Sequence, residues 1–283
     1  VKDTGRKLIG IVSLATLVVS DKGTKIKDVM ITDYVYEHVD DDQEDVSEDF
    51  KKYGYLAIPV VDKEHRLVGI ITFDDILDVM EDEATEDIER MNGVIDFDDS
   101  DRDYLDTPVI RHAMNRLPWL VILMVAYIFT GGIIKNFESS LSKVIELVAF
   151  MPMLMGTGGN SGSQAATLII RGLATDEVDT DDAFKILWKE FRVGIIIGGL
   201  LSILNYLRIY FIDGIHNPGI ALTVCVSMIF IVIFAKIIGS MIPILVKKIN
   251  LDPALIANPA ISSVSDAVAL SIYFAMASIF LNL

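Results

Sequence analysis

Asp266 is the residue whose type and position most clearly suggest metal chemistry. It is the only charged residue in an apolar run from Pro253 to Leu283. A carboxylate inside a membrane span is costly and is by default a functional group. Asn258 and nearby serines add oxygen ligands without thiolates or imidazoles, which favours Mg²⁺, Mn²⁺ or Ca²⁺ over zinc or copper. The alternative is a structural ion pair, with Lys236 of the preceding apolar run as partner.

A second segment, from Pro152 to Gln164, places four glycines among hydroxyl and amide side chains in the middle of an apolar run. Glycine inside a helix costs about 1 kcal/mol relative to alanine. Lipid tolerates irregular backbone only where it is buried or lines a water-filled path. The segment therefore predicts an interrupted span beside a polar path. Close helix packing through small residues is the alternative, and it explains Asn160 and Gln164 less well.

An acidic run forms the third candidate site. Nine acids lie between Asp74 and Glu89, and the first base after them is Arg90. The apolar residues of the run have helical spacing, and like charges three or four residues apart destabilise a helix. Divalent cations, which prefer carboxylate oxygens, would relieve this repulsion. A solvated acidic face is the alternative. Further acids extend the run into a linker before Pro108, a candidate gate: Asp96, Asp98, Asp99, Asp101, Asp103 and Asp106.

The elements that position these residues differ sharply between the two parts of the chain. Residues 1–107 hold 29 acids and 12 bases, whereas residues 108–283 hold 11 acids and 12 bases. The sequence thus predicts an acidic soluble part followed by an apolar part. This excludes a single globular domain, a disordered chain and a nucleic-acid binder, which needs a basic face. The single cysteine, Cys225, excludes a disulfide framework. Because the chain opens on Val1, we expect a fragment of a longer protein.

The apolar part contains five runs of membrane-spanning length, since about 20 helical residues cross a hydrocarbon core of roughly 30 Å. The runs are 117–134, 147–170, 193–212, 217–246 and 253–283. With the acidic part in the cytoplasm, eight basic residues flank the spans inside and three outside. This bias predicts a cytoplasmic N-terminus and an external C-terminus. Because five helices make a thin bundle around a polar path, we expect a homodimer.

The acidic part contains a repeated strand pattern. The segments 8–13 and 67–72 share an apolar-Gly-apolar sequence, and each precedes a helical run, at 14–19 and 74–80. A further strand is predicted at 57–62. This repeat resembles a tandem CBS (Bateman) module whose first copy is truncated. In that family Gly69, Thr72 and Asp75 would match a motif that contacts the ribose of an adenine nucleotide, whereas Thr16 replaces the aspartate in the first copy.

Nearly the whole chain resembles the MgtE family of magnesium channels or transporters. The motifs are PMLMGTGGNSGSQ at 152–164, LDPAL at 251–255 with Asn258-Pro and Ser265-Asp266, and EATEDI at 83–88. The resemblance implies a multi-domain fold, an α/β CBS module followed by an all-α transmembrane domain of five helices, in a homodimer. It divides the chain into a first CBS remnant (1–28), a second CBS repeat (29–80), an acidic plug helix and linker (81–116) and a pore domain (117–283).

The resemblance also implies roles for individual residues. Asp266 would hold hydrated Mg²⁺ in the pore, beside the pore-lining residues Gly156, Gly158, Gly159, Asn160 and Asn258. Mg²⁺ would close the pore by binding the regulatory acids Asp42, Glu44, Asp75, Asp78, Glu83, Glu86, Asp87 and Asp252. ATP would bind the CBS module near Tyr55, Thr72 and Asp75. The sequence departs from the family in lacking its helical N-terminal domain and in having Gly54 at a position that is acidic in some relatives.

We therefore predict a multi-pass cell-membrane protein, not an enzyme, whose partners are a second copy of itself, lipid, Mg²⁺ and ATP but not nucleic acid. Its function would be Mg²⁺ transport through a pore gated by cytosolic Mg²⁺, as a channel or a carrier. The alternatives are a nucleotide-sensing CBS scaffold that regulates a partner and a broader transporter of Mn²⁺, Co²⁺ or Ni²⁺. The mid-span carboxylate favours transport over the scaffold.

Overall fold

The computed structural model describes residues 1–95, 104–255 and 258–282. These residues form two compact units, Val1–Glu86 and Asp87–Leu283. The boundary between the units falls inside one long helix, Phe73–Met91.

The first unit contains a three-stranded sheet and four helices. Its elements are α1 (Leu14–Val19), α2 (Ile26–Val29), β1 (Glu37–His38), α3 (Gln43–Tyr53), β2 (Ala57–Val61), β3 (Leu67–Thr72) and the start of α4 (Phe73–Met91). The strand order is β1-β2-β3, with β1 parallel to β2 and β2 antiparallel to β3. A small core joins helices to sheet through Val46, Phe50, Ile58 and Ile76, which are nearly inaccessible to solvent. This core holds α3 and α4 against the sheet.

Local signals account for most of these elements. Asp42 caps the N-terminus of α3, where its carboxylate accepts a hydrogen bond from the Glu44 N–H at 3.0 Å. The helix ends at Gly54, whose φ of 64° is readily adopted only without a side chain. The predicted strand at 8–13 is wrong: this segment makes only isolated bridges, including Ile11 to Ile31. A strand needs a continuous lateral partner, and this segment has none among the described residues.

The second unit is helical. After the end of α4 it contains α5 (Val109–Asn136), the short α6 (Glu138–Leu141), α7 (Glu146–Ala174), α8 (Ala183–Phe211), α9 (Pro218–Lys248) and α10 (Asn258–Leu281). Two single 3₁₀ turns, Thr180–Asp182 and Pro253–Leu255, precede α8 and α10. Helix α9 lies at the centre, since α7, α8 and α10 all pack against it, whereas α5 packs against α10.

Four of the described helices are long and apolar enough to cross a membrane, namely α5, α8 with its preceding turn, α9 and α10. The sequence predicts five such spans. The remaining one coincides with α7, which has 29 residues but carries the polar segment 152–164 at its centre. That segment lowers the mean hydropathy of α7 below that of its neighbours, although its length, about 44 Å at 1.5 Å per residue, is sufficient.

Candidate functional site

Asp266 is the ninth residue of α10, because this helix begins at Asn258. The sequence prediction started the span at Pro253, but residues 253–255 form a separate 3₁₀ turn. Asp266 therefore lies about 12 Å along the axis from the first residue of α10, closer to the N-terminal end than predicted. Its side chain is half-buried.

Among the described residues, Asp266 has no hydrogen-bond or ion-pair partner. The alternative interpretation, an ion pair with Lys236, is wrong. The Lys236 ammonium lies 3.8 Å from the carboxylate of Glu190 on α8, and both residues are buried. A carboxylate in a helical span without a protein cation needs its charge balanced by other means. Asp266 is thus available to an external cation.

Helix α7 passes very close to Asp266 because it presents glycine there. A Cβ atom built on Gly159 would lie 3.3 Å from the Ser262 hydroxyl oxygen and 3.6 Å from Oδ1 of Asp266. The glycine segment does not interrupt the helix as predicted, since α7 is continuous from Glu146 to Ala174. Tertiary packing outweighs the helix cost of these glycines. Gly158, Gly159 and Gly162 allow close approach to α10 and α9 rather than unwinding the helix.

Oxygen atoms of α7 and α10 lie close together between Asp266 and the start of α10. The hydroxyls of Ser163 and Ser262 lie 3.2 Å apart, and Ser163 donates to the backbone carbonyl of Asn258 at 3.4 Å. The side-chain oxygen of Asn258 and the Ser265 hydroxyl are both buried without a hydrogen-bond partner among the residues that the structure describes. Because such groups are costly to leave unpaired, they mark a place suited to an ion or ordered water.

The predicted pore-lining residues separate into two groups. Gly158 and Gly159 are buried against α10, and Asn258 lies near its start. Gly156 and Asn160 are exposed, and a Cβ at Gly156 would meet no atom within 4 Å. Gln164 is exposed as well. A polar amide face of α7 is thus uncovered in a helix that otherwise packs into the core.

The available donors suit a hard cation. Within the described ranges, no three His, Cys, Asp or Glu side chains lie close enough together to hold a metal ion. Asp266 is therefore a single carboxylate near the Ser262 hydroxyl, with the oxygens of Asn258 about two turns away toward the start of α10. Mg²⁺ loses water reluctantly and is usually bound by one or two carboxylates plus waters. The geometry fits a hydrated ion better than one fully dehydrated by the protein.

Three of the predicted regulatory acids come together at the start of α3. Glu83 of α4 accepts a hydrogen bond from the Gln43 side chain at 2.6 Å. Gln43 lies between Asp42 and Glu44, so this contact places the Glu83 carboxylate at the acidic N-terminus of α3. The predicted acid Glu86 follows one turn later on α4, close to the unit boundary.

The predicted nucleotide-binding residues lie at one end of the β2–β3 ladder. Thr72 is paired with Ala57, and the Phe73 N–H donates to the Leu56 carbonyl at 3.0 Å, next to Tyr55. The backbone N–H and the hydroxyl of Thr72 both donate to Asp75, and these bonds lower the pKa of that carboxyl. The predicted regulatory acid Asp78 is exposed one turn further along α4.

The remaining regulatory acids belong to the helical unit. Asp252 forms an ion pair with Arg90 at 3.3 Å, and Asp87 lies one turn before Arg90 on α4. Met91, the last residue of α4, packs on a small core of Ala166, Ile170 and Ile261. The end of the acidic helix thus contacts α7 and α10. Of the predicted linker acids, Asp106 is described, whereas Asp96, Asp98, Asp99, Asp101 and Asp103 lie outside the described residues.

Two features of the site escaped sequence reasoning. The first is Gly239 of α9, where a Cβ would lie 2.0 Å from the carbonyl oxygen of Gly162. The second is Glu190, which the predicted span from residue 193 leaves in a flanking segment, whereas α8 begins at Ala183. The sequence does contain a signal for each residue: Gly239 is a glycine in an otherwise apolar span, and Glu190 is an acid close to the start of a span. Neither signal identifies the residue that packs against it.

Comparison with known proteins bears on both units. The MgtE family profile, described as a divalent cation transporter, matches residues 151–276. The CBS domain profile matches residues 26–82. The chain thus contains a CBS domain and a mostly helical C-terminal region, as predicted. The matched helical region includes α8, α9 and nearly all of α7 and α10.

Relatives match over almost the whole chain. The magnesium transporter MgtE of Thermus thermophilus is 41% identical over 100% of this chain and 61% of its own length. The MgtE of Bacillus subtilis is 36% identical over 98% of this chain and 60% of its own length. The chain therefore spans about three-fifths of these relatives.

A solved structure titled as the cytosolic domain of the Mg²⁺ channel MgtE in complex with ATP is 44% identical over 27% of this chain and 31% of that chain. Its TM-score of 0.27 is too low for a shared overall fold to be inferred. The sequence motifs, both profiles and the full-length relatives agree with one another, and the prediction that the chain is not an enzyme agrees with them. We conclude that the chain belongs to the MgtE family of divalent cation transporters.

Proposed function

We propose that the chain conducts Mg²⁺ across a cell membrane along a path that passes Asp266. The observation that carries this proposal is the carboxylate of Asp266 in α10, which has no partner among the described residues and lies beside the glycine segment of α7. Within the described helical unit, the other buried acid on a candidate span, Glu190, already has a lysine partner. We call the neighbourhood formed by Asp266, Gly159, Ser262, Ser163 and Asn258 the Asp266 site.

The oxygen chemistry of the Asp266 site supports Mg²⁺ as substrate. Along the path a hydrated ion could exchange hydrogen bonds with the Asn258 oxygen and the Ser163 and Ser262 hydroxyls, and then reach Asp266, about 12 Å along α10 from Asn258. The Mg²⁺ transporters of Thermus thermophilus and Bacillus subtilis, similar over nearly the whole chain, support the same ion. The family description covers divalent cations more broadly, so Mn²⁺, Co²⁺ and Ni²⁺ belong in the same assay.

The assembly we propose is a homodimer with five spans per chain. The fifth span is α7, whose exposed amides at Asn160 and Gln164 would be unfavourable in lipid but favourable along a water-filled path between two subunits. The excess of basic residues on one side of the spans supports a cytoplasmic N-terminus and an external C-terminus. The domains would then be the two CBS repeats (1–28 and 29–80), the plug helix and linker (81–116) and the pore domain (117–283).

Regulation by cytosolic Mg²⁺ is the second part of the proposal. The acidic helix α4 and the start of α3 hold carboxylates in the first unit, and Asp87 and Asp252 lie near the end of α4 in the second. Because Met91 contacts α7 and α10, a shift of α4 would reach the two helices of the Asp266 site. Mg²⁺ can favour a closed state only by binding it more tightly than the open one. ATP would bind near Tyr55, Thr72 and Asp75.

Mg²⁺ entry into proteoliposomes, followed with a trapped Mg²⁺-sensitive dye, tests this function. We expect uptake by the parent chain and a rate at least about tenfold lower for Asp266→Asn, which removes the charge but keeps the size. Asp181→Asn, an exposed acid before α8, is the matched control and should transport like the parent. Absence of Mg²⁺ uptake by the folded parent chain would favour the CBS scaffold alternative. An Asp266→Asn variant as active as the parent would contradict the role of Asp266.

A further inference from the structure

The helical unit contains a buried ion pair that the proposed function does not use. The Lys236 ammonium of α9 lies 3.8 Å from the Glu190 carboxylate of α8. Their exposed fractions are 4% and 9%. Lys236 is 12 residues before the end of α9, about 18 Å along the helix axis. Charges at such a depth are costly and pair with one another when they are retained.

The pair lies within a contact stripe between α8 and α9, which continues past it to Ile186 of α8 and Ile244 of α9. The buried residues of α8 recur about every four positions, and they include Glu190, Gly194, Gly198 and Ser202. Cβ atoms at Gly194 and Gly198 would lie 2.9 and 3.0 Å from the Cα atoms of Ile233 and Ile229. The glycines set the distance between the helices but carry no directional contact. Two directional contacts accompany them on this stripe: the Ser202 hydroxyl donates to the Cys225 carbonyl of α9 at 3.0 Å, and the ion pair joins the helices about three turns away.

A neighbouring face of α9, about 100° around the helix from Lys236, faces the Asp266 site at this level. The residue next to Lys236 is Ala235, whose carbonyl oxygen would lie 3.2 Å from a Cβ at Gly162 of α7. The same Cβ would lie 2.9 Å from the Ser265 hydroxyl of α10. Gly162 is therefore held between Ala235 and Ser265, and Ser265 is the neighbour of Asp266. A rotation or shift of α9 at Lys236 would therefore act on α7 through the Ala235 carbonyl and, through Gly162, on the Ser265 hydroxyl of α10.

We propose that Glu190 and Lys236 are positioning residues, whose ion pair sets α9 so that the glycine segment of α7 keeps its place against Asp266. The proposal rests on the proposed function in treating the Asp266 site as the cation path. A purely stabilising pair is the competing explanation. The two explanations differ when the pair is replaced by a neutral pair, since such a replacement is often tolerated without loss of stability.

The packing of α7 on α10 provides a readout that does not depend on transport. The Ser163 and Ser262 hydroxyls lie 3.2 Å apart, so cysteines at both positions should form a disulfide under mild oxidation. The experiment uses the full-length chain in detergent, with Ser163→Cys and Ser262→Cys in a Cys225→Ala background. Thermal unfolding of each variant shows whether it is folded and how stable it is.

Three variants decide the outcome. In Glu190→Gln/Lys236→Met we expect cross-linking slower by about fivefold or more, at a stability near that of the parent. The charge-exchanged variant Glu190→Lys/Lys236→Glu should return the rate to near the parent value. Lys248→Met removes an exposed charge at the end of the same helix and should have no effect.

An unchanged cross-linking rate in the folded neutral variant would overturn the proposal, whether or not the chain transports Mg²⁺. So would a folded charge-exchanged variant as slow as the neutral one. In proteoliposomes, the neutral variant without the added cysteines should need about threefold or more Mg²⁺ for half-maximal uptake. Lack of uptake by the parent chain would instead contradict the proposed function, and the cross-linking result would still decide the role of the ion pair.

Discussion

Carboxylates in the two units differ in how their charge is balanced. In the first unit, Asp42, Asp62, Asp75 and Glu83 each accept hydrogen bonds from nearby backbone or side-chain donors. In the helical unit, Asp266 accepts none from the described residues, although its side chain is half-buried. Acids of the first unit can each serve local structure and bind a cation weakly. Asp266 has no structural use that its contacts reveal, which makes a cation its natural partner.

The two units also differ in how closely their elements pack. The core of the first unit is small, with four buried apolar residues. In the helical unit, backbones approach one another through glycine at several levels, and the tightest contact joins Gly239 to Gly162. A rigid frame around one unpaired charge is suited to selecting an ion. A small core with many solvated acids is suited to responding to ion concentration.

The largest effect should follow from filling the closest helix contact. In Gly239→Val the new Cβ would lie 2.0 Å from the Gly162 carbonyl oxygen, too close for the backbones to keep their places. We expect a loss of about 3 kcal/mol or more of stability and little folded protein, measured by size-exclusion chromatography and thermal unfolding in detergent. Gly132→Val on α5, where a Cβ meets no atom within 4 Å, is the control. If both variants were equally stable, the close contact between Gly239 and Gly162 would not make the helical unit rigid.

The acidic helix should set the Mg²⁺ concentration at which transport stops. Replacing Glu83, Glu86 and Asp87 with alanine removes repulsion and ligands together, and we expect the loss of ligands to dominate. Uptake by the triple variant should persist to about fivefold or more higher Mg²⁺ on the cytosolic side. The control triple Asp74→Ala/Glu81→Ala/Asp82→Ala removes the same charge from the exposed face of α4. If transport by both triple variants stops at the same Mg²⁺ concentration as transport by the parent chain, the acidic run is only a solvated face.

Glu37 should make the stability of the first unit depend on pH. Burial, together with the neighbouring Asp49 and Asp41 carboxyls, raises the pKa of Glu37 to about 7. The folded state therefore keeps a proton that the unfolded state releases near pH 4.5, so stability should fall as pH rises from about 4.5 to about 7.

The Glu37 contribution is at most about 4 kcal/mol, at about 1.4 kcal/mol per pKa unit. Hydrogen exchange of α3 and β2 amides, corrected for intrinsic rates, measures it. Glu37→Gln should flatten this dependence, whereas the exposed control Glu48→Gln should retain it. A parent chain without any pH dependence in this range would contradict the assigned cause.

The smallest expected effect concerns the nucleotide. Because Asp75 accepts hydrogen bonds from the Thr72 backbone and hydroxyl, it orients the end of β3. Asp75→Asn should weaken ATP binding by about fivefold, the equivalent of about one hydrogen bond. Titration calorimetry of the detergent-solubilised chain measures this, with the adjacent exposed Asp74→Asn as control. Equal ATP affinity in the parent and both variants would place the nucleotide elsewhere.

Local signals explain what could be predicted from the sequence. The strands at 57–61 and 67–72 and the helix at 14–19 were predictable because alternation, turn residues and the Ser13 N-cap act over a few residues. The pairing of Lys236 with Glu190 was not, because 46 positions separate them and a hydropathy pattern does not say which faces meet. Continuity of α7 was missed for the same reason, since packing of Gly158 and Gly162 on other helices compensates for their low helix propensity.

Locating a divalent ion in a structure of the chain tests the central claim most directly. Crystals grown with Mn²⁺, which shares oxygen ligands with Mg²⁺ and scatters anomalously, would reveal its position. We expect an anomalous peak at the Asp266 site, at a distance from the carboxylate that leaves room for coordinated water. We expect this peak to be absent in Asp266→Asn. A chain that transports Mg²⁺ while the Asp266 site stays free of the ion, with the peak elsewhere in the helical unit, would contradict the central claim.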